Sequence, residues 1–375
     1  MQKNKTSIGE ISLLRGERGG ICVTIIVPVY PALPKANAVS MHKLMRRTRQ
    51  VLRNNYKPEE VANLLGKLDE LLAAIHYGPG TEGIGIYLSE AISHCAYFPF
   101  AVRERIMVSD RFELRELLYK EDYANPYCVL LLTEQHARLF HGVWNVINEV
   151  SDHHFPLTND AEYIYAKPSH SSSEAGYAHV KSFEKDKSEL ESIRLKEFFR
   201  TVDKGLDQYL ISGRPLIVLA VRKELAFFSD VSHHNKSIIG KAEGDYDKAD
   251  LKQLVEIAWP LMRNHLDQQH LTLLKELNEK VGAGMSIPGV QDTWAAAHEG
   301  KGLKLLVEKD YRQPGFLAEN EFHLFLRPPK KTVRILSDAV DDLIDTVLEK
   351  NGEVHFFENG ALREYRHIAM ISRYR

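Results

Sequence analysis

The sequence has few cysteines, and the three present, Cys22, Cys95 and Cys128, lie far apart in a chain of 375 residues. They form no Cys-x-x-Cys motif. An odd, widely spaced set does not build a disulfide framework or supply the four ligands of a structural zinc site. The composition therefore excludes a disulfide-stabilised scaffold and indicates a reducing compartment.

Long apolar segments are also missing. The first residues, MQKNKTSIGE, are polar and lack the apolar core of a signal peptide. No apolar run approaches the roughly 18 residues that a membrane-spanning helix needs. We therefore expect a soluble, cytoplasmic protein without a membrane partner.

Neither sign of charge is in large excess. The 49 basic and 51 acidic residues give a formal net charge of −2, so no overall positive field attracts the protein to nucleic acid. Hydrophobic residues make up 44% and charged residues 27% of the chain, which excludes a disordered, collagenous or coiled-coil protein. Any RNA binding must come from a local basic patch.

Motifs that carry catalysis are absent as well. The sequence contains no G-x-x-x-x-G-K-[ST], no G-x-S-x-G and no H-E-x-x-H. Gly78 to Gly83 fits G-x-G-x-x-G but follows a predicted helix and precedes a strand, which is the reverse of the dinucleotide-binding context. The doublets His153-His154 and His233-His234 are poor chelates, since adjacent side chains point apart. We assign no catalytic residue, metal ligand or cofactor.

Four aspartates fall on one face of a helix predicted over 338–350: Asp338, Asp341, Asp342 and Asp345. Such a set could hold a cation, but acids in the first turns of a helix also complement its dipole. We favour the second interpretation, with Ser337 as the N-cap residue.

The chain alternates helical and strand patterns over a length that allows two or three domains. We predict a mixed α/β protein with domains at 1–126, 127–247 and 248–375. The first contains a strand at 21–27, helices at 40–54 and 58–76, strands at 84–88 and near 106–108, and a helix from Asp110 to Tyr119. The second contains a hairpin at 127–144, a long charged helix at 177–210 and a strand at 216–221. The third contains one helix to about 270 and another to 281, a helix at 290–298, a strand at 303–308, the helix at 338–350 and strands at 353–357 and 368–372.

One predicted helix concentrates positive charge. Residues 1–126 hold 17 basic and 14 acidic residues, and no Asp or Glu occurs from Lys35 to Pro58. Spacings of three and four place Lys43, Arg46, Arg49 and Arg53 in one stripe beside the apolar face. The pattern favours contact with RNA phosphates, whereas the alternatives are a solvated face or salt bridges to distant acids. The predicted RNA-binding residues are Lys43, Arg46, Arg47, Arg49, Arg53 and Lys57.

Several strings resemble the archaeo-eukaryotic peptide-chain release factor and Pelota ribosome-rescue family, and more specifically its bacterial relatives. They are residues 11–52 (with ICVTIIVP), 110–118 (DRFELRELL), 127–150 (YCVLLLTEQHARLF and onward), 214–228 (RPLIVLAVRKELAFF), 289–310 (GVQDTWAAAHEGKGLKLLVEKD) and 348–374. The resemblance implies an α/β N-terminal domain, an RNase H-like middle domain and an αβα-sandwich C-terminal domain like that of kink-turn RNA-binding ribosomal proteins. It also implies ribosome binding in or near the tRNA site, with the basic helix at the decoding centre.

The sequence departs from this family at both of its functional motifs. The family's Gly-Gly-Gln is absent, and the corresponding middle-domain tip loop offers Ser169, His170, Ser171, Ser172 and Ser173. Asn-Ile-Lys-Ser is also missing, since Asn37-Ala38-Val39-Ser40 lacks its lysine. Codon-specific peptide release is therefore not expected.

We accordingly expect a non-catalytic ribosome-associated factor for rescue, recycling or hibernation, which acts by occupying a site. The implied partners are ribosomal RNA, tRNA and, through the C-terminal domain, a translational GTPase or another protein. Two alternatives stay open. One is a hydrolase of peptidyl-tRNA or RNA esters, in which His170 or a nearby acid of the tip loop positions water; the other is an interaction scaffold that has lost the ribosome.

Overall fold

The computed structural model describes residues 5–159 except 77 and 79, and residues 176–317, 322–330 and 334–375. The helices are α1 (Lys5–Gly16), α2 (Pro34–Asn55), α3 (Pro58–Ala74), α4 (Arg115–Asp122), α5 (Gly176–Gly205), α6 (Arg222–Val231), α7 (Leu251–Gly282), α8 (Val290–His298) and α9 (Ala339–Glu349). The strands are β1 (Cys22–Pro28), β2 (Gly83–Leu88), β3 (Ser93–Phe98), β4 (Arg105–Ser109), β5 (Tyr127–Leu132), β6 (His136–Val143), β7 (Val146–Glu149), β8 (Leu157–Thr158), β9 (Leu216–Ala220), β10 (Ile238–Glu243), β11 (Ser286–Pro288), β12 (Gly302–Glu308), β13 (Gly315–Leu317), β14 (Leu324–Phe325), β15 (Arg334–Leu336), β16 (Glu353–Phe357) and β17 (Ile368–Ser372). The predicted mixed α/β fold class is confirmed.

The first sheet has the strand order β3-β2-β1-β4 and is antiparallel throughout. Its central strand β1 is apolar without interruption because both of its faces are covered. Val23 and Ile25 pack with α2 and α3, whereas Cys22 and Ile26 pack with α1 and α4 on the other face. This packing fixes α2 against the sheet by one side only.

The second sheet has the order β10-β9-β5-β6-β7, and β8 pairs with β6. Strands β5, β9 and β10 run parallel, whereas β5 and β6 form the predicted antiparallel hairpin. Leu130, Leu139 and Val218 of the sheet pack with residues of α5 and α6, among them Phe199 and Phe228. The sheet is therefore mixed, with its core beneath these two helices.

The third sheet has the order β11-β17-β12-β16, and a small sheet β14-β13-β15 follows β12 in the chain. Leu306 and Ala369 pack with Leu277 of α7. Met370, the next residue along β17, lies instead on the side of α9, where a side chain at Gly302 would meet both Met370 and Val347. Helices therefore cover both faces of this sheet.

Contacts divide the chain into two compact units. One comprises residues 125–267, and the other combines the residues up to Ala124 with those from Gln268 onward. Each four-stranded or larger sheet lies inside one of the three predicted domains. The three-domain division, the RNase H-like assignment and the kink-turn-like assignment stay predictions. None of the helices in the described part of the chain has the length and apolar character needed to cross a membrane.

Several local predictions were wrong, and three of them have clear structural causes. The helix predicted from Asp110 begins at Arg115, because Phe112 and Leu114 are buried and the Glu113 N–H donates to Thr24 Oγ1 at 3.0 Å. Residues 251–282 form one helix that continues through Pro260, since the buried stripe Leu254, Ala258, Met262 and Leu266 continues on both sides of it. The N-cap of α9 is Asp338, which accepts the Val340 N–H at 3.1 Å, and not Ser337.

Candidate RNA-binding surface

The predicted basic helix is α2, and its buried positions determine which residues face outward. Met41, Leu44, Met45, Thr48 and Leu52 are buried at spacings of three and four. The helix begins at Pro34, six residues earlier than predicted, because proline suits the first helical position. With one face fixed against the sheet, the opposite face presents its side chains to solvent.

The outer face carries four exposed basic residues that we call the α2 basic stripe: Lys35, Lys43, Arg46 and Arg53. A rise of 1.5 Å per residue extends the stripe over about 27 Å along the helix. Within the described part of the chain, no acidic side chain pairs with any of the four. The stripe therefore offers a row of uncompensated positive charge.

The other two predicted arginines of α2 do have acidic partners. Arg47 Nη1 donates to Glu104 Oε1 at 2.6 Å, and Arg49 pairs with Asp69 of α3. For these two residues the salt-bridge alternative holds. Because exposed ion pairs contribute only about 0–1 kcal/mol each, the pairs hold the arginines in place but do little to stabilise the fold.

Lys57, the sixth predicted residue, is exposed at the start of α3. It is the N-cap residue, and its backbone N–H donates to Glu60 Oε2 at 3.0 Å. Since only Tyr56 and Lys57 separate α2 from α3, the Lys57 side chain adds charge near the Arg53 end of the stripe. All six predicted residues thus belong to α2 and the turn after it.

The loop before α2 was missed by the sequence analysis. Tyr30 and Leu33 are exposed apolar side chains, and Val39 is 69% exposed one turn from both Lys35 and Lys43. Asn37 is buried and binds the backbone of Tyr30, which orders this loop. The string YPALPKANAV contains a signal for this exposed apolar patch. Its three large apolar residues do not continue the spacing of the buried positions of α2, which indicates that they lie outside its packed face.

The backbone of α2 adds to the positive potential at its start. No acidic residue lies in the first turn, and the N-cap residue Leu33 makes no side-chain capping bond. The partial positive charge of the helix N-terminus is therefore not neutralised locally. It lies at the same end as Lys35.

The predicted tip loop, Ser169, His170, Ser171, Ser172 and Ser173, lies outside the described residues, so the hydrolase alternative stays untested. Within the described residues, Cys128 Sγ lies 3.7 Å from His141 Nδ1, which resembles a nucleophile and base. Burial, however, raises the pKa of the Cys128 thiol to about 11, and burial lowers the pKa of His141. The thiol therefore stays protonated at neutral pH, which argues against a thiolate nucleophile.

The doublet His233-His234 serves local structure. His233 Nδ1 lies 2.9 Å from the buried carboxylate of Asp203, and His234 Nε2 lies 3.0 Å from Asp207. Each histidine thus has its own carboxylate on the end of α5 or just after it. No group of three or more potential ligands in the described residues could hold a metal ion.

Comparison with known proteins identifies the relationship. The family model "Bacterial archaeo-eukaryotic release factor family 3" matches residues 126–301. Over this range the chain is similar to the bacterial relatives of the archaeo-eukaryotic release factors, and the resemblance inferred from the sequence is confirmed. No curated protein matches the chain.

Solved structures give more distant similarities. Archaeoglobus fulgidus Pelota is 14% identical with a TM-score of 0.39, over 78% of this chain and 84% of that one. S. cerevisiae Dom34, described as a translation termination-like factor interacting with Hbs1, is 11% identical with a TM-score of 0.38, over 77% and 73%. An archaeal translation termination factor, aRF1, is 13% identical with a TM-score of 0.25, over 99% and 98%. Superpositions this loose do not assign a function.

Proposed function

We propose that this protein is a cytoplasmic, ribosome-associated translation factor that binds ribosomal RNA through the α2 basic stripe. The carrying observation is that Lys35, Lys43, Arg46 and Arg53 are exposed on one helix face without an acidic partner in the described residues. Like charges held in a row repel one another, and a polyanion relieves that repulsion while releasing its counterions. The relationship to release factors supports the ribosome as the source of this RNA.

The factor acts by occupying a site on the ribosome rather than by releasing the peptide. Both motifs of the family, Gly-Gly-Gln and Asn-Ile-Lys-Ser, are absent from the sequence. Rescue, recycling and hibernation all fit such a role. A translational GTPase is a natural further partner, because the Dom34 structure is described as interacting with Hbs1.

Co-sedimentation with bacterial ribosomes tests the proposal. The α2 variant carries Glu in place of Lys43, Arg46 and Arg53. The matched control carries Glu in place of Arg194, Arg200 and Lys204, which are exposed on α5. Binding by the wild type is expected to weaken sharply between about 50 and about 200 mM salt, and the α2 variant is expected to lose it at both. The control variant should bind within about threefold of the wild type.

Ribosomes that are empty, stalled or filled with tRNA are compared in the same assay. Binding to one of these states assigns the step at which the factor acts. Equal sedimentation of the α2 variant and the wild type would contradict the stripe as the RNA contact. If the wild type binds none of these ribosome states, the proposed function is contradicted. The alternative of an interaction scaffold then remains.

A further inference from the structure

A buried ionic cluster joins the N-terminal residues of α4 to α9 within one compact unit. Arg115 is 2% exposed, and its guanidinium donates to Asp341 Oδ1 at 2.7 Å and Asp338 Oδ2 at 3.0 Å. Arg312 donates to Glu116 Oε1 at 3.2 Å and also pairs with Glu113. The acids of α9 that the sequence suggested for a helix dipole therefore bind arginines, among them Arg115, which lies 223 residues before Asp338. We call this cluster the α4–α9 junction.

Acidic groups outnumber basic ones at this junction. Among the described residues, six carboxyl groups face five guanidinium groups. They are Arg15 from α1, Arg105 from β4, Arg111 and Glu113 from the loop before α4, Arg115 and Glu116 from α4, Arg312 from the loop after β12, and Asp338, Asp341, Asp342 and Asp345 at the start and along α9. Beside them lie the hydroxyls of Tyr311 and Tyr87. Arg18 also acts on Asp345, but it forms its own ion pair with Glu349 and so leaves the balance of charge unchanged. With every group ionised, the cluster holds one uncompensated negative charge.

Two carboxylate oxygens of the cluster lack a hydrogen-bond donor. Glu113 Oε2 and Glu116 Oε2 are buried and have no hydrogen-bond partner, although the Glu113 Oε1 atom accepts from Arg105 at 2.7 Å. Glu113 and the α9 acids Asp338, Asp341 and Asp345 also line a cavity of about 50 Å³. An ionised oxygen without a donor in a buried site is costly, whereas a protonated carboxyl becomes a donor itself.

We propose that the α4–α9 junction takes up a proton on Glu113 when it forms, so that its closure is favoured at mildly acidic pH and opposed as pH rises toward neutrality. The proton removes the surplus charge and gives the unpartnered Oε2 a hydrogen to donate. The junction joins the first sheet's helices to those of the third sheet, so the proton couples the two. It is a conformational device separate from the RNA-binding stripe.

The titration of the junction follows from burial. Burial is the main cause that raises the pKa of Glu113, and Asp341 adds to it, whereas Arg312 and Arg105 lower it; together these bring the pKa to about 7. Burial likewise raises the pKa of Asp345 to about 6. It also raises the pKa values of Glu116 and Asp338. An opened junction returns Glu113 to its ordinary value of 4.5. Between these two values only the closed form keeps the proton, so closure weakens up to tenfold per pH unit for each proton.

A second titratable group, at the other end of α4 where it packs on β16, acts in the same direction. His355 Nδ1 lies 3.1 Å from Asp122 Oδ1, at the end of α4, and its Nε2 lies 3.3 Å from Glu353. Burial lowers the pKa of His355, but the bonds and charges of Asp122 and Glu353 outweigh it and raise the pKa above 6.5. Packing of α4 against β16 therefore favours a protonated His355, and this contribution is lost as the pH rises through the raised pKa.

Hydrogen–deuterium exchange of the full chain tests the proposal, with protection factors corrected for the intrinsic pH dependence of exchange. Wild type, Glu113→Gln and the control Glu197→Gln, an exposed acid of α5, are compared at about pH 5, 6, 7 and 8. Protection of α4 and α9 in the wild type is expected to fall at least tenfold from pH 5 to 7. Peptides of α6, in the other unit, report changes unrelated to the junction.

Over the same interval, the protection of α4 and α9 in the Glu113→Gln variant should fall by about a factor of ten per pH unit less than in the wild type. The Glu197→Gln variant should keep the wild-type dependence. If Glu113→Gln does not fold, Asp345→Asn is read between about pH 4 and 6 in the same way. Constant protection of α4 and α9 in the wild type from pH 5 to 7 would overturn the proposal. An unchanged dependence in Glu113→Gln would overturn the assignment to Glu113.

Discussion

The side-chain amide of Asn37 binds the backbone of Tyr30 on both of its polar groups. The Tyr30 N–H donates to Asn37 Oδ1 at 2.9 Å, and Asn37 Nδ2 donates to the Tyr30 carbonyl at 2.8 Å. Asn37 is 4% exposed, so its own side chain is shielded from water. This one side chain therefore links the loop after β1 to the first turn of α2 and sets where the basic stripe begins.

Replacing Asn37 by Ala is expected to lower the free energy of unfolding by about 1–3 kcal/mol, because a partly buried backbone donor and acceptor of Tyr30 lose their partners. Asn54→Ala, at an exposed position near the other end of α2, serves as the control and should change it by less than about 0.5 kcal/mol. Urea unfolding measures both. Equal stability of the two variants would show that the loop does not depend on Asn37.

Arg115→Ala is expected to be the more severe change. Its removal leaves Asp338 and Asp341 without their buried partner, and breaking a buried pair on one side costs about 3–5 kcal/mol. Arg46→Ala, on the exposed stripe, should cost less than about 0.5 kcal/mol. Denaturant unfolding distinguishes them, and a loss below about 1 kcal/mol for Arg115→Ala would mean that the cluster is hydrated in solution.

The three cysteines are expected to react slowly with a disulfide reagent in the folded protein. Burial raises the pKa of Cys22 to about 12, that of Cys128 to about 11 and that of Cys95 above its ordinary value. Since the thiolate is the reacting form, little of it exists near pH 8, and two of the side chains are also buried. All three thiols should react rapidly once urea has unfolded the protein. A thiol that reacts rapidly before unfolding would contradict the packing around β1, β3 or β5.

Elements with strong local patterns could be predicted from the sequence. The strands β1, β5 and β9 are uninterrupted apolar runs, because both of their faces are buried. The helices α3, α8 and α9 carry apolar residues at helical spacing over most of their length. The positions of these elements therefore follow from the local sequence pattern alone. The helix predicted from Asp110 failed for a non-local reason. Glu113 lies before the helix, where its N–H donates to Thr24, 89 residues away, and no local pattern reports such a bond.

The candidate RNA-binding surface could likewise be predicted only in part from the sequence. Spacing identified the basic residues of α2, but it could not show which are paired, because Glu104 and Asp69 lie 57 and 20 residues from their arginines. The role of Asn37 was also hidden, since the sequence presents Asn37-Ala38-Val39-Ser40 only as an incomplete Asn-Ile-Lys-Ser. Its partner Tyr30 precedes the helix and belongs to a loop whose path depends on the fold.

Site-specific photocrosslinking tests the contact between α2 and ribosomal RNA most directly. A benzophenone side chain replaces Val39, which lies within the basic stripe and is exposed, and a control protein carries it at Ile193 of α5. Irradiation of the ribosome complex is expected to join position 39 to ribosomal RNA, and the Lys43, Arg46 and Arg53 to Glu changes should abolish the product. Crosslinks from position 39 to protein alone, in a complex that still sediments with the ribosome, would contradict the account.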